Sequence, residues 1–249
     1  MARRVRFFDS LRGLSVLSMV GFHLCYDLRY LAGLSLPWFQ GTFQDVWRAS
    51  ISWVFLFLAG VMSSYSRNNY RRAAKYGLFA LAIFAVTAIA AVDDAISFGI
   101  IFCMAACTLV AAILETLRIR PGGLVAGAAC VAAFLALLHV PTGYLDLGFT
   151  RMTLPQELYA TPWLSWLGFP GPGFVSGDYY PVLPYLLMFM YLAGASAGPS
   201  LKDSFCSGRI RDLGLRPLEW LGRHALLVYA AHQPVLLVVA SLVSGRSLL

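Results

Sequence analysis

Four residues in the segment FFDSLRGLSVLSMVGFHLCYDLRY have side chains that can do chemistry: Asp9, Arg12, His23 and Asp27. If the segment is a helix, about 100° per residue brings Arg12 and His23, eleven positions apart, to within about 20° of each other. Asp9 and Asp27 then coincide in azimuth, and all four fall in a sector of roughly 60°. A rise of about 1.5 Å per residue separates His23 from Arg12 by about 16 Å along the axis. His23 has the character of a general base, and Asp27, one turn beyond, could hold its imidazole in one tautomer and raise its basicity. Asp9 and Arg12, three apart, can pair, and Arg12 is equally suited to bind a phosphate. The bland alternative is a core histidine bonded to a neighbouring helix, and four aligned ionisable groups weigh against it.

The element that must hold this stripe belongs to an unusually apolar chain. Of 249 residues, 59% are hydrophobic and 12% charged, against roughly 25% charged in an ordinary soluble domain. The apolar residues lie in long runs broken by short polar segments, which predicts one all-α domain over residues 1–249, a polytopic transmembrane helix bundle. About seven spans are expected, with cores at Phe8–Tyr26, Val46–Tyr65, Tyr76–Val92, Phe98–Leu117, Leu124–Val140, Pro181–Gly198 and Trp220–Val243. MARRVR before an apolar run has the charge pattern of a signal peptide, but His23, Asp27 and Arg29 interrupt it, so it is read as a retained first helix. An ionisable stripe in such a helix is costly against lipid and is expected to face a partner or a watery cavity.

The net charge of +7 is explained by topology rather than by nucleic acid, for which no motif is present and no binding is expected. With the N terminus cytoplasmic and the C terminus outside, the inner face holds Arg3, Arg4, Arg6, Arg12, Arg67, Arg71, Arg72, Lys75, Arg118, Arg120, Lys202, Arg209, Arg211, Arg216 and Arg223. The outer side keeps only Arg29, Arg48, Arg151 and Arg246 among the 19 basic residues. The connection from about Pro141 to Tyr180, rich in Pro, Gly, Trp and Tyr, falls outside. It reads as an interfacial belt or as a lid over an outward-facing cavity, and it has room for a further half-helix.

Other residues are weaker candidates. Asp178, in SGDYYP with Tyr180, stands before the sixth span, either to orient a substrate hydroxyl or pair with His23, or simply as an acid at a helix start. In the last span, His232 and Gln233 lie deep beside Pro234, which removes a backbone donor and frees the carbonyl near Ala230. His224 and His139 read as interfacial. The five cysteines are odd in number, and Cys103 and Cys107, four apart, read as buried packing thiols before a redox or metal pair. There is no GxSxG, P-loop, HExxH or CxxC, and no metal is expected.

The spacing of Arg12, ten residues, then His23 in DSLRGLSVLSMVGFH resembles the Arg-X10-His signature of transmembrane acyltransferases. The ordered blocks FDSLRGL, FHLCYDL, FLFLAGVMSS, SGDYYPVLPY and GRHALLVYAAHQPVL, over nearly the whole chain, resemble the bacterial heparan-alpha-glucosaminide N-acetyltransferase-like family. That resemblance implies transfer of an acetyl or other acyl group from cytoplasmic acyl-CoA to a hydroxyl or amine of a glycan or glycolipid acceptor on the outer side, in a bacterial cytoplasmic membrane. Acetyl-CoA or another acyl-CoA is then the donor, and a homodimer is plausible. Catalytic roles fall to His23, which could either deprotonate the acceptor or carry the acyl group itself, and to Asp27 and Asp178. Arg12, Arg71, Arg72 and Arg223 would receive the CoA phosphates, with Asp9 beside Arg12 in the same cofactor site, and Tyr180, His232 and Gln233 would line the acceptor site. The chain departs from many relatives in reading FGIIF, with Phe102 where they carry histidine, and some animal relatives have an amide in place of His23. A proton-coupled transporter or a non-catalytic membrane scaffold would use the same polar stripe.

Overall fold

Lipid requires each backbone N–H and C=O to be bonded within its own segment, and the long apolar runs meet that condition as helices. The computed structural model describes residues 5–91, 93–119, 123–196, 213–245 and 247–248. Its described helices are α1 (Arg6–Tyr26), α2 (Gly41–Ser63), α3 (Asn69–Ala90), α4 (Ile100–Thr116), α5 (Leu124–Leu137), α6 (Val182–Ser196), α7 (Arg216–Arg223) and α8 (Ala225–Ser244). Arg3, Arg4, Arg120, Lys202, Arg209, Arg211 and Arg246 of the charge pattern lie outside the described residues, as do Cys206 and the expected span ends at Val92 and Gly198.

Four described stretches are long and apolar enough to cross a membrane: Gly41–Ser63, Asn69–Ala90, Val125–Thr142 and Ala225–Ser244. Ile100–Thr116 is apolar but shorter, and α1, interrupted by Arg6, Asp9, Arg12 and His23, is not among the four. The last span differs from expectation at its start. His224 leaves helical geometry (φ −104°, ψ 18°), so the apolar helix begins at Ala225 and Arg216–Arg223 forms the separate helix α7, opened by Pro217 in its first turn.

The mostly helical chain carries one short hairpin in the 141–180 connection. Tyr144–Asp146 (β1) and Arg151–Thr153 (β2) pair antiparallel, with Leu145 opposite Met152. Gly148, at φ +81°, makes the reversal, and its N–H donates to Asp146 Oδ1 at 2.9 Å. Three short 3-10 turns occupy Val140–Thr142, Gln156–Tyr159 and Pro162–Leu164 in place of a half-helix.

The chain divides into two compact units, Met1–Leu58 with Asp203–Leu249, and Ala59–Lys202. In the first, Met19 and Phe22 of α1 pack with Phe39 and with Ile51 of α2, flanked by Trp47 and Tyr229. Trp47 Nε1 donates to Ser18 Oγ at 2.8 Å, and Ser15 Oγ to the Ile51 carbonyl at 3.3 Å, so polar positions of α1 are satisfied as α2 docks. α7 lies backbone against backbone on α1. A Cβ on Gly222 would stand 1.8 Å from the Asp9 carbonyl oxygen, and one on Gly13 would stand 1.9 Å from that of Leu218.

In the second unit, α4 packs on α3 and α6, and α5 packs on α6. The final turn of α2 passes close to α6, where a Cβ on Gly60 would lie 2.4 Å from the Phe189 carbonyl oxygen. Cys103 and Cys107 are buried free thiols with sulfurs 3.8 Å apart on α4.

Candidate active site

The polar stripe of α1 meets α7 at one end and α8 at the other, all within the first unit. At the α7 end, Arg12 Nη1 donates to Asp9 Oδ1 at 3.3 Å and to the Gly222 carbonyl at 3.4 Å. Asp9 is buried. The absence of a side chain at Gly222 allows this approach, because the α7 backbone itself enters the groove beside Asp9 and Gly13.

Sequence reasoning passed over Glu219, which organises the same region. Its buried carboxylate receives Arg6 Nε at 2.9 Å on Oε1 and Arg223 Nη2 at 3.3 Å on Oε2. The hydrogen bond from Arg6 holds the Glu219 carboxyl below the usual glutamate range, and the charges of Arg223 and Arg216 add to the effect. Arg223, a candidate phosphate ligand, is therefore also one arm of an Arg6–Glu219–Arg223 bridge. The signal was present in the i, i+4 spacing of Glu219 and Arg223, an acid inside an otherwise basic segment.

Toward the other end of α1, helical winding loosens into a π-turn at Asp27–Leu31, a device common at functional sites. Asp27 is completely buried. Gln233 Nε2 of α8 donates to both its oxygens, at 3.0 Å to Oδ1 and 3.1 Å to Oδ2. The neighbour of the His23 ring is a second imidazole. The centroids of His23 and His232 are 4.9 Å apart and their planes cross at 61°. Phe22 lies edge-on to His23 and also touches Phe39 and Trp47, tying the site to the α1–α2 core.

His232 has a defined hydrogen-bond pattern. Its Nδ1 is 2.7 Å from the Tyr229 carbonyl. A carbonyl can only accept, so Nδ1 carries the proton and Nε2 the lone pair. That Nε2 is buried and has no hydrogen-bond partner among the described residues.

The remaining candidates lie in the second unit. Asp178 Oδ2 accepts the Ile100 N–H at 3.0 Å and so caps the first turn of α4. Ser176 Oγ lies 2.7 Å from both the Ser97 and Asp178 carbonyls and shares its one proton between them, and the Tyr180 N–H donates to the Phe98 carbonyl, so the SGDYYP segment is stitched to the start of α4. Tyr180 is buried, with its ring 5.2 Å from that of Tyr185. Phe102 packs edge-on against Phe98 at 5.0 Å. Tyr179 donates to the Ser165 carbonyl, and burial pushes its phenol above the ordinary range.

Arg71 and Arg72 sit in the first turns of α3. The N-cap Asn68 accepts the Arg71 N–H at 2.8 Å. Arg72 Nε donates to Tyr76 Oη at 3.3 Å, while its Nη1 is buried without a partner among the described residues. His139 stacks on Tyr144, and His224 Nδ1 donates to the Trp220 carbonyl at 2.8 Å.

The arrangement on α1 combines a cation held near the α7 backbone with an imidazole pair about 16 Å further along the helix. The model of one protein family, described as heparan-alpha-glucosaminide N-acetyltransferase, catalytic, matches residues 4–234. No curated protein and no solved structure gives a significant match to the chain.

Proposed function

The chain belongs to the heparan-alpha-glucosaminide N-acetyltransferase catalytic family, and from that premise we propose that it transfers an acyl group from acyl-CoA to a hydroxyl or amine of a sugar-containing acceptor. Membership and the apolar helices make it a membrane protein of acetyltransferase type. The finer reading has the acyl-CoA, acetyl-CoA in the first instance, arriving from the cytoplasmic side of a bacterial inner membrane. The acceptor stands on the outer side of a seven-span bundle whose N terminus is cytoplasmic.

The observation that carries this reading is the pairing of His23, on the same helix as Arg12, with His232 of α8, bordered by the buried Asp27–Gln233 bond. CoA needs cations for its phosphates, and Arg12 with Arg223 offers them beside α7. The thioester then extends along α1 to His23.

The neutral imidazole of His23 takes the acceptor's proton as its oxygen or nitrogen attacks the thioester carbonyl. The C–S bond breaks as the new acyl bond forms, and the imidazolium returns its proton to the departing CoA thiolate. Asp27, fixed by Gln233, supplies negative charge near the cation that forms on His23.

The test is acyl-CoA binding and turnover by purified protein in lipid. His23→Ala is expected to retain acyl-CoA binding and to lose transfer by about 100-fold or more. Full transfer in His23→Ala would end this chemistry. Absence of acyl-CoA affinity together with solute uptake driven by a proton gradient would favour a transporter instead.

A further inference from the structure

The sequence offers Asp27 as the group that orients His23, one helical turn away. In the structure the Asp27 carboxylate receives both its Gln233 contacts from α8, and the ring beside His23 is that of His232. Adjacent positions on α8 thus reach two different partners on α1 and its π-turn.

His232 has what an orienting residue needs. Its Nδ1–H is committed to the Tyr229 carbonyl at 2.7 Å, which leaves Nε2 as an acceptor with no other role. That atom is buried, yet no described residue donates to it. An unpaired acceptor in the interior is costly, and a donor brought to it removes that cost. The neighbouring ring is His23, with centroids 4.9 Å apart and planes inclined at 61°. His23 itself makes no side-chain hydrogen bond among the described residues, so neither of its ring nitrogens is committed to another partner.

We propose that His232 is the positioning residue for His23: its Nε2 accepts the N–H of one His23 nitrogen, which leaves the lone pair of the other nitrogen directed at the substrate. The pair then works as a relay of polarity. When His23 takes a proton it becomes a donor at both nitrogens, and His232 Nε2 stabilises the cation by accepting more strongly. The bond from His232 to the Tyr229 carbonyl reinforces this, because a donating imidazole is a better acceptor at its opposite nitrogen. Asp27 and Gln233 hold the two helices in register rather than setting the tautomer of His23. This assignment rests on the acyl-transfer reading for its catalytic meaning but not for its geometry.

The chain has only four histidines, so nitrogen-15 NMR of histidine-labelled protein in lipid, with His139→Gln and His224→Gln used to assign signals, reports each tautomer directly. Neutral His232 is expected with Nδ1 protonated and Nε2 bare, and His23 as a single tautomer. His232→Phe, which keeps a ring but no acceptor, should split His23 into two tautomers. It should lower kcat about 10- to 100-fold with the KM for acyl-CoA unchanged. His232→Gln, which returns an acceptor oxygen near the Nε2 position, should restore the single tautomer and part of the rate.

A proton on His232 Nε2 in the wild type, or a His23 spectrum unmoved by His232→Phe, overturns the proposal. Wild-type protein that turns over no acyl-CoA would defeat the functional reading, and the tautomer spectra would still decide the positioning.

Discussion

Asp27 is a carboxylate without solvent exposure at the point where α1 loosens into its π-turn. Such a group is tolerated because donors are brought to it, here Gln233 Nε2 on both oxygens. A hydrogen bond to a charged group contributes about 1.5–3 kcal/mol, and removing one partner of a buried charge is costlier than replacing both. Gln233→Leu is therefore expected to destabilise the protein by about 2–3 kcal/mol, read as a lower melting temperature in detergent. The double change of Asp27→Asn with Gln233→Leu should recover part of that loss. A Gln233→Leu melting temperature equal to the wild type would remove Gln233 from any role in holding Asp27.

At the scale of elements, the contact of α1 with α7 depends on two glycines. It places Asp9, Arg12, Glu219 and Arg223 together, and no flexible side chain is available to yield at Gly222, where an added Cβ meets the Asp9 carbonyl at 1.8 Å. Gly222→Ala should force α7 away from α1, at a cost of more than the ~1–3 kcal/mol typical of overpacking. The loss is measurable as lower thermal stability and as loss of a disulfide engineered between the two helices. Gly21 provides the control on the same helix, because a Cβ there meets only the Trp47 ring at 3.6 Å. Gly21→Ala should leave stability within about 0.5 kcal/mol. Equal effects of the two changes would show that the close approach of α7 is not needed.

For the whole molecule, the spacing of basic residues predicts sidedness. Single cysteines introduced into a cysteine-free variant and probed with a membrane-impermeant maleimide on intact cells test it. Position 68, beside Arg67 and Arg71, should label only after the membrane is opened, and position 161 in the long connection should label from outside. Position 248, next to the C terminus, should label from outside as well. Outside labelling at 68 would invert the topology and with it the cytoplasmic donor in the proposed function.

Lipid compatibility is written in composition, so the helical class and the polar stripe of the first helix were legible from the chain alone. The Arg12–His23 spacing was legible for the same reason, since helix periodicity is a local property. The family, too, could be recognised in ordered blocks that the match over residues 4–234 bears out.

Contacts between residues some two hundred positions apart were not legible. Nothing local says that Gln233 reaches Asp27, that His232 lies beside His23, or that Arg6 reaches Glu219. Nor does apolar content reveal that the last helix breaks at His224, because the break follows from seating Gly222 against Asp9. The sequence by itself determined which side chains share a face of α1 and how far apart they stand, through the fixed rise and twist of the helix. Which partner each one meets was decided only in the tertiary structure, where α7 and α8 close on that face and the buried polar groups must find one another.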